Sequence, residues 1–175
     1  TVQAMANGHT LNAEGEVASG YVSAYAAGIS IEGYGENRNT DLSIVNAGTL
    51  AATASAIDAN AAENTQSNNV YAAADAISLS GPVRNAVVTN TGTITATATT
   101  NTGSDESVWA AVINVHNIWS GGDVEKAEVV SVAAAPPADL ITINNNGGTL
   151  IARTSSDSGA SWQWGEAIRT TFAHS

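Results

Sequence analysis

Carboxylates are the most numerous ionisable side chains in this sequence. The chain has 16 Asp and Glu against five Lys and Arg, which gives a formal net charge of −11. Hydrolysis of a glycosidic bond needs two carboxylates that flank the bond, but the acids here are dispersed along the chain. Asp75 and Glu166 each stand two residues before a recurring Ile, yet two repeats separate them. We therefore predict no catalytic residues and no enzymatic activity.

The histidines and glycines lack the spacing of a metal or cofactor site. His9, His116 and His174 form no H-E-x-x-H motif or similar pair of ligands. The sequence has neither a phosphate-binding loop nor a G-x-S-x-G motif. Loop carboxylates such as Asp123 and Glu125 could hold a structural Ca²⁺. Beyond that ion, we predict no cofactor.

Aromatic side chains show a clearer pattern. Counted back four or six residues from a recurring Ile, they gather where one strand begins, at Tyr25, Tyr71, Trp109, Trp162 and Trp164. From there Tyr25, Tyr71, Trp109 and Trp164 could stack on sugar rings or on a neighbouring fibre. The alternative is a cluster that packs at a corner inside the protein. The sequence leaves both interpretations open.

These side chains are expected to lie on a repeating backbone structure, because one short sequence phrase recurs along the chain. The phrase has an Asn, a tight turn that usually contains Gly, a Thr, and a Leu or Ile two residues before an Ala. Three clear copies occupy residues 46–52, 90–96 and 146–152, and a looser copy occupies residues 7–13. Self-similarity at a period of tens of residues is typical of stacked repeat architectures.

A second phrase alternates apolar residues, as a half-buried strand does, and places an Ile at positions 29, 77, 113 and 168. Strands also flank each Asn-Gly-Thr corner, so each repeat predicts three short strands. The predicted fold is all-β: a right-handed parallel β-helix of about four turns of three strands with loop insertions. Its handedness follows from the rule for parallel crossovers.

Recurring Asn residues at one corner predict an internal ladder. Asn46, Asn90 and Asn146 occupy equivalent places in their phrases, so their side chains could hydrogen-bond to the turns above and below. The alternative is that Asn merely favours turns. We prefer the ladder because the position recurs as well as the residue type.

The chain predicts one domain over residues 1–175, with long loop insertions near 57–69 and 116–139. The second insertion contains Pro136-Pro137, which cannot join an interior ladder. No capping segment is evident at either end, and an uncovered strand edge is a template for another chain. We predict that the ends serve assembly through Met5, Leu11, Trp162, Trp164, Ile168 and Phe172. The start at Thr1 is interpreted as that of a mature, processed or excised segment.

Composition limits the partners. The five basic residues are scattered, so no electrostatic footprint for nucleic acid is present. The acidic surface would be repelled by anionic membranes, and no run of 18 apolar residues predicts membrane insertion. There are no Cys residues, so disulfides and thiolate metal sites are excluded.

The Asn-x-Gly-Thr-Leu/Ile-x-Ala phrases, with strands rich in Ala, Thr and Ser and no Cys, resemble the β-helical passenger regions of autotransporters and other bacterial surface adhesins with β-strand repeats. The resemblance covers nearly the whole chain. It implies an extracellular or bacterial cell-surface protein used for adhesion, surface coating or matrix.

Two functions follow as expectations. The first is a structural or adhesive extracellular protein, whose β-helix module stacks head-to-tail into a fibre or forms part of a longer surface adhesin. Its partner is then another copy, or neighbouring turns of a longer chain. The alternative is a carbohydrate-binding or polysaccharide-cleaving β-helix that recognises surface glycans through the aromatic cluster.

Overall fold

The computed structural model describes residues 1–9, 22–32, 42–58, 70–80, 85–102, 108–116 and 140–171. These residues form strands and turns, and none of them lies in a helix. No helix long and apolar enough to cross a membrane occurs in these ranges. The strands are β1 (Val2–His9), β2 (Val22–Glu32), β3 (Leu42–Asn46), β4 (Thr49–Ile57), β5 (Val70–Ser80), β6 (Asn85–Asn90), β7 (Thr93–Thr99), β8 (Val108–His116), β9 (Leu140–Asn145), β10 (Thr149–Ser155), β11 (Gln163–Trp164) and β12 (Glu166–Thr171).

The strands form three sheets that the chain visits in a fixed cyclic order. Sheet I has the order β1-β4-β7-β10-β11, sheet II has the order β12-β8-β5-β2, and sheet III has the order β3-β6-β9. Every pairing is parallel except that of β10 with β11. The fold is therefore all-β with parallel sheets, an arrangement compatible with a β-helix-like fold.

The recurring phrases of the sequence lie side by side in these sheets. Thr49, Thr93 and Thr149 are in register in sheet I. The four Ile residues at positions 29, 77, 113 and 168 are in register in sheet II. The predicted strands on both sides of the Asn corner are also confirmed, since Ile44, Val88 and Ile143 pair in sheet III.

The predicted first copy of the phrase, residues 7–13, is wrong where the structure describes it. Val2 pairs with Leu50, and Asn7 pairs with Ser55, well past the Asn46 corner. Continuing this register by one residue places Thr1 beside Thr49. The segment Thr1-Val2-Gln3-Ala4 is thus the missing copy, and Asn7-Gly8 only imitates its turn. Because β1 belongs to sheet I, the described first turn has two strands instead of the predicted three.

Small side chains let sheets I and II pack closely. Their strands β4 and β5 are in contact and bury six Ala residues, Ala52, Ala54, Ala56, Ala72, Ala74 and Ala76, all 0% exposed. Larger apolar residues complete the core, among them Ile77, Leu79, Ile94 and Ile113. Since added methylenes strain a filled core, this Ala pattern fixes the spacing of the two sheets.

In two strands of sheet II, two consecutive residues both face the core, so the alternation of inward and outward side chains shifts by one residue. The shift falls at the same level of the sheet in both strands. In β5 the core takes Ala74, Ala76 and then the adjacent Ile77. In β8 it takes Val112 and the adjacent Ile113. At the same level of β2, a Cβ on Gly28 would lie 2.8 Å from the Ala76 carbonyl oxygen and 2.9 Å from Leu50 Cδ1. The shift brings Asp75 and Ser78 to the same outer face.

Strand β11 covers part of the free edge of sheet I, where the sequence predicted no cap. It pairs antiparallel with β10 through Trp164 opposite Arg153. The reversal is made by a turn in which Ser158 (φ 60°) and Gly159 (φ 89°) adopt left-handed conformations. Asp157 organises this turn, accepting hydrogen bonds from the Ser155 hydroxyl at 2.7 Å and from the backbone N–H and hydroxyl of Ser161.

We expect this turn to loosen in acid. The hydrogen bonds from Ser161 and Ser155 lower the pKa of Asp157 from 3.8 to about 2. A lowered folded-state pKa contributes stability above the unfolded value, and that contribution is lost as pH falls through about 2. The Ser161 amide chemical shift, followed by NMR from pH 5 to pH 1, should titrate near pH 2. An inflection near the ordinary Asp value would contradict the hydrogen-bonded turn.

Candidate functional site

The outer face of sheet II brings three of the four predicted ligand-stacking residues together. Tyr25, Ala73 and Trp109 are in register on adjacent strands. Tyr71 lies two positions before Ala73, beside Ser23. Tyr25 is 52% exposed, and Tyr71 and Trp109 are half-buried. Tyr25 and Trp109 therefore flank Ala73, which is itself only 1% exposed.

Trp164 does not join this face. It does not continue the register of Tyr25, Ala73 and Trp109, because β11 pairs with β10 in sheet I. The chain joins sheet II only at Glu166, which pairs with Ala111. Arg169 takes its place beside the aromatic residues, with its guanidinium 4.7 Å from the ring centroid of Trp109, a cation–π geometry. Sequence reasoning missed Arg169 because its place depends on the turn before β12.

Asp75 lies in the centre of this face and is only 1% exposed. Its Oδ2 accepts a hydrogen bond from the Tyr25 hydroxyl at 2.9 Å and from Asn114 Nδ2 at 3.0 Å. Its Oδ1 and the Oδ1 of Asn114 are both buried and have no hydrogen-bond partner among the residues that the structure describes. Buried polar atoms are normally hydrogen-bonded. The Asp75–Asn114 pair departs from that rule at both of its Oδ1 atoms.

Burial raises the pKa of the Asp75 carboxyl above 3.8, although hydrogen bonds from Asn114 and Tyr25 and the nearby His116 and Arg169 oppose the shift. Desolvation of the hydroxyl, with the Asp75 carboxylate beside it, raises the pKa of Tyr25 to about 12. Both groups therefore favour their protonated forms more than they would in water.

The polar groups here do not form a nucleophilic triad. Ser78 Oγ lies 3.2 Å from His116 Nε2, as a nucleophile and its base would. Ser78, however, is 3% exposed, and Asp75 accepts from Tyr25 and Asn114 instead of orienting His116. The polar groups of Asp75, Ser78 and Asn114 are buried, so the accessible part of this face is aromatic, with Tyr25 as its most exposed member.

The described residues contain no group of three or more His, Cys, Asp or Glu that could hold a metal ion. Asp123 and Glu125, which the sequence suggested for Ca²⁺, lie outside the described residues, as do residues 59–69 and 117–139 of the two predicted insertions.

The Asn ladder runs through the corner between sheets III and I. Asn46 Nδ2 donates to Asn90 Oδ1 at 2.8 Å, and Asn90 Nδ2 donates to Asn145 Oδ1 at 2.8 Å. The third member is Asn145, so the predicted Asn146, which is exposed, was wrong. This third described corner has one residue more than the other two between its Asn and its Thr, and Gly147 accommodates it with a φ of 76°.

The predicted assembly residues are exposed where the structure describes them. Met5 is 75% exposed and lies on the outer face of β1, in register with Thr53. Trp164 and Ile168 are 85% and 42% exposed. Trp162, 45% exposed, packs its ring 4.5 Å from the Arg153 guanidinium. Leu11 and Phe172 lie outside the described residues.

No protein-family model, curated protein or solved structure matches this chain. Its function must therefore be argued from the geometry of its own residues, above all the stacked sheets, the Asn ladder and the outer face of sheet II.

We expect the stability of this face to depend on pH through Asp75. A proton on Asp75 Oδ1 would supply the hydrogen that Asn114 Oδ1 lacks and would complete a cyclic acid–amide pair. Because the folded-state pKa is raised, its stabilising contribution is present below the unfolded pKa and lost as pH rises through the folded value. The groups facing it are Tyr25, Asn114, His116 and Arg169.

Asp75→Asn tests this expectation, because an amide can form the same cyclic pair without a titrating proton. The variant should be at least as stable as the wild type at pH 8 in urea denaturation, and the pH dependence due to Asp75 should disappear. Asp75→Leu, which leaves Tyr25 and Asn114 without their acceptor, should be less stable at all pH values. An Asp75→Asn variant that is much less stable at pH 8 would contradict the protonated pair.

Proposed function

We propose that this chain is a structural module of an extracellular bacterial surface adhesin, built as a right-handed parallel β-helix. The observation that carries the proposal is the cyclic order of the three sheets, with Thr and Ile columns in register from turn to turn. The right hand follows from the rule for parallel crossovers. Repeats of this kind bury one continuous core and serve as scaffolds.

One feature favours a module of a longer adhesin over a fibre of identical copies stacked head to tail. Strand β11 pairs antiparallel with β10 and lies over part of the edge that a second copy would need. A parallel strand from another copy could not pair with the same part of β10.

Electron microscopy of the purified chain without ligand tests this choice. The module should give short, monodisperse particles, and light scattering should report a monomer. Long fibres with an axial repeat of about 19 Å, four strand spacings of roughly 4.8 Å, would overturn it in favour of head-to-tail assembly.

The outer face of sheet II supports a second function, carbohydrate binding. Tyr25 and Trp109 flank Ala73 there. Tyr and Trp each combine an apolar ring, which can stack on a sugar ring, with a polar group that can form a hydrogen bond. A glycan array gives the test, with Trp109→Ala as the binding variant and Trp164→Ala as the matched control. Binding that Trp109→Ala weakens at least tenfold and Trp164→Ala leaves unchanged supports this function, whereas no binding by the wild-type chain ends it.

A further inference from the structure

The corner between β9 and β10 contains an Asn-Gly pair, Asn146-Gly147, which lies outside both strands. The sequence has one other such pair, Asn7-Gly8. Asn is a chemically labile side chain, because the backbone nitrogen of the next residue can attack its carboxamide carbon. Gly in that next position has no Cβ to hinder the approach. The corner therefore contains both groups of an intramolecular reaction.

The side chain of Asn146 is free to take part in this reaction. Its carboxamide is exposed and has no hydrogen-bond partner among the residues that the structure describes. The neighbouring Asn145 differs, because its Oδ1 accepts from Asn90 Nδ2 and its Nδ2 donates to the Gly148 carbonyl, both at 2.8 Å. The ladder thus fixes the Asn145 side chain, whereas the Asn146 side chain can rotate toward the Gly147 nitrogen.

The exposure of Asn146 belongs to its position in the corner. The Asn146 N–H donates to the Asn90 carbonyl at 2.9 Å, and the Thr91 N–H donates to the Asn46 carbonyl at the same distance. Thr91 is therefore the equivalent residue one turn earlier. Its strand, β6, has a partner on each side, yet Thr91 is also exposed. The residue after each of these ladder Asn residues is thus exposed even where the stack continues on both sides.

The backbones of the two Asn-Gly pairs differ in their freedom. Gly147 has a φ of 76°, and its N–H donates only to the nearby Asn145 carbonyl, at 3.1 Å. Asn7-Gly8 lies inside β1, in register with residues 55–56 of β4. Ring closure needs a rotation about the ψ angle of the Asn, which sheet pairing opposes. Asn7 can therefore react only when β1 opens locally.

We propose that Asn146 is a site of spontaneous deamidation that the fold selects and whose product it tolerates. The Gly147 nitrogen loses its proton to solvent hydroxide and attacks Asn146 Cγ. The new bond from this nitrogen to Cγ replaces the Cγ–Nδ2 bond, and Nδ2 takes up a proton and leaves as ammonia. Water then opens the succinimide ring at either carbonyl and gives aspartate or isoaspartate. The net reaction is the hydrolysis of one amide.

The product should leave the stack intact, because Asn146 is not a member of the ladder. The Asn146 N–H bond to the Asn90 carbonyl, at 2.9 Å, and the Thr149 N–H bond to the Gly92 carbonyl, at 2.8 Å, hold the two sides of the corner. Isoaspartate adds one backbone atom between these bonds, next to Gly147, where a Cβ would meet nothing within 4 Å. The corner therefore has room for the longer backbone.

The test is to incubate the full chain at pH 8 in water labelled with heavy oxygen and to follow it by mass spectrometry. Trypsin then releases residues 1–38, which contain Asn7, and residues 127–153, which contain Asn146. Replacement of an amide NH2 by a labelled hydroxyl gives the mass gain, and fragmentation locates it. In the folded chain, Asn146 should react roughly tenfold faster than Asn7, or more. In urea that unfolds the chain, the two rates should become similar.

Asn146→Ala is the control variant, and it should abolish the mass gain in residues 127–153. The deamidated chain, separated by anion exchange through its added negative charge, should keep the Tm of the starting material. Equal rates at Asn7 and Asn146 in the folded chain would overturn the selection by the fold. A mass gain that survives Asn146→Ala would assign the reaction to another Asn, and a lowered Tm of the separated product would overturn its tolerance.

Discussion

Asn90→Ala is expected to lower the free energy of unfolding by about 2–3 kcal/mol. Asn90 is 1% exposed and occupies the middle of the ladder. Its side chain donates to Asn145 Oδ1 and to the Gly92 carbonyl at 3.2 Å, and it accepts from Asn46 Nδ2 and from the Gly92 N–H. Ala would remove these four hydrogen bonds at the corner that joins β6 to its neighbours on both sides. Asn46 Nδ2 would keep only its longer bonds to the Gly48 and Thr93 carbonyls, at 3.2 and 3.3 Å.

The matched control is Asn146→Ala. Asn146 is the residue that the sequence suggested for the ladder, but its side chain is exposed, so the change should cost less than about 0.5 kcal/mol. Equilibrium unfolding in urea, with unchanged m-values, measures both. Equal effects of the two changes would mean that the ladder does not stabilise the corner.

Gly92→Ala is expected to be as damaging, by about 3 kcal/mol, for a steric reason. The added Cβ would meet the backbone of the preceding corner, 2.7 Å from the Gly48 nitrogen, and backbone atoms cannot rotate aside as a side chain can. The turns would have to separate, which would stretch the Thr93 N–H bond of 2.8 Å to the Gly48 carbonyl.

Gly48→Ala places the same methyl group at the equivalent position one turn earlier, where it meets nothing within 4 Å. Its effect on stability should stay within about 0.5 kcal/mol. Thermal unfolding followed by circular dichroism compares the two variants. If Gly92→Ala unfolds at the temperature of Gly48→Ala, the corners of successive turns are not in contact.

The sequence predicted the parallel columns well because the recurring phrases carry two signals at once. Thr93 and Ile94, for example, follow a Gly turn and begin an alternating strand, so both the corner and the inward face were readable. The predicted ladder was wrong by one residue at its third member, Asn145. That corner contains one extra residue, which Gly147 accommodates by adopting a left-handed conformation. No pattern in the sequence indicates this insertion.

Other features could not be read from local patterns. The first copy of the phrase was misplaced because Asn7-Gly8 resembles a corner, whereas the residues that pair with the start of β4 are Val2 and those that follow it. Trp164 was predicted to lie beside Tyr25 and Trp109, but the turn that Asp157 stabilises places it in sheet I instead. The Asp75–Asn114 contact joins residues three positions apart in register on neighbouring strands, and it depends on the shifted alternation of sheet II.

The parallel register of sheet I can be measured directly by disulfide trapping, because the chain has no Cys of its own. Thr53 and Thr97 are register partners on β4 and β7, within the Cα separation that a disulfide spans. A chain with Thr53→Cys and Thr97→Cys should therefore cross-link rapidly under mild oxidation and keep its circular dichroism spectrum. The pair Thr53→Cys and Arg153→Cys, two strands apart in the same column, should remain reduced. Cross-linking of the distant pair, or none in the adjacent pair, would contradict the stacked parallel fold.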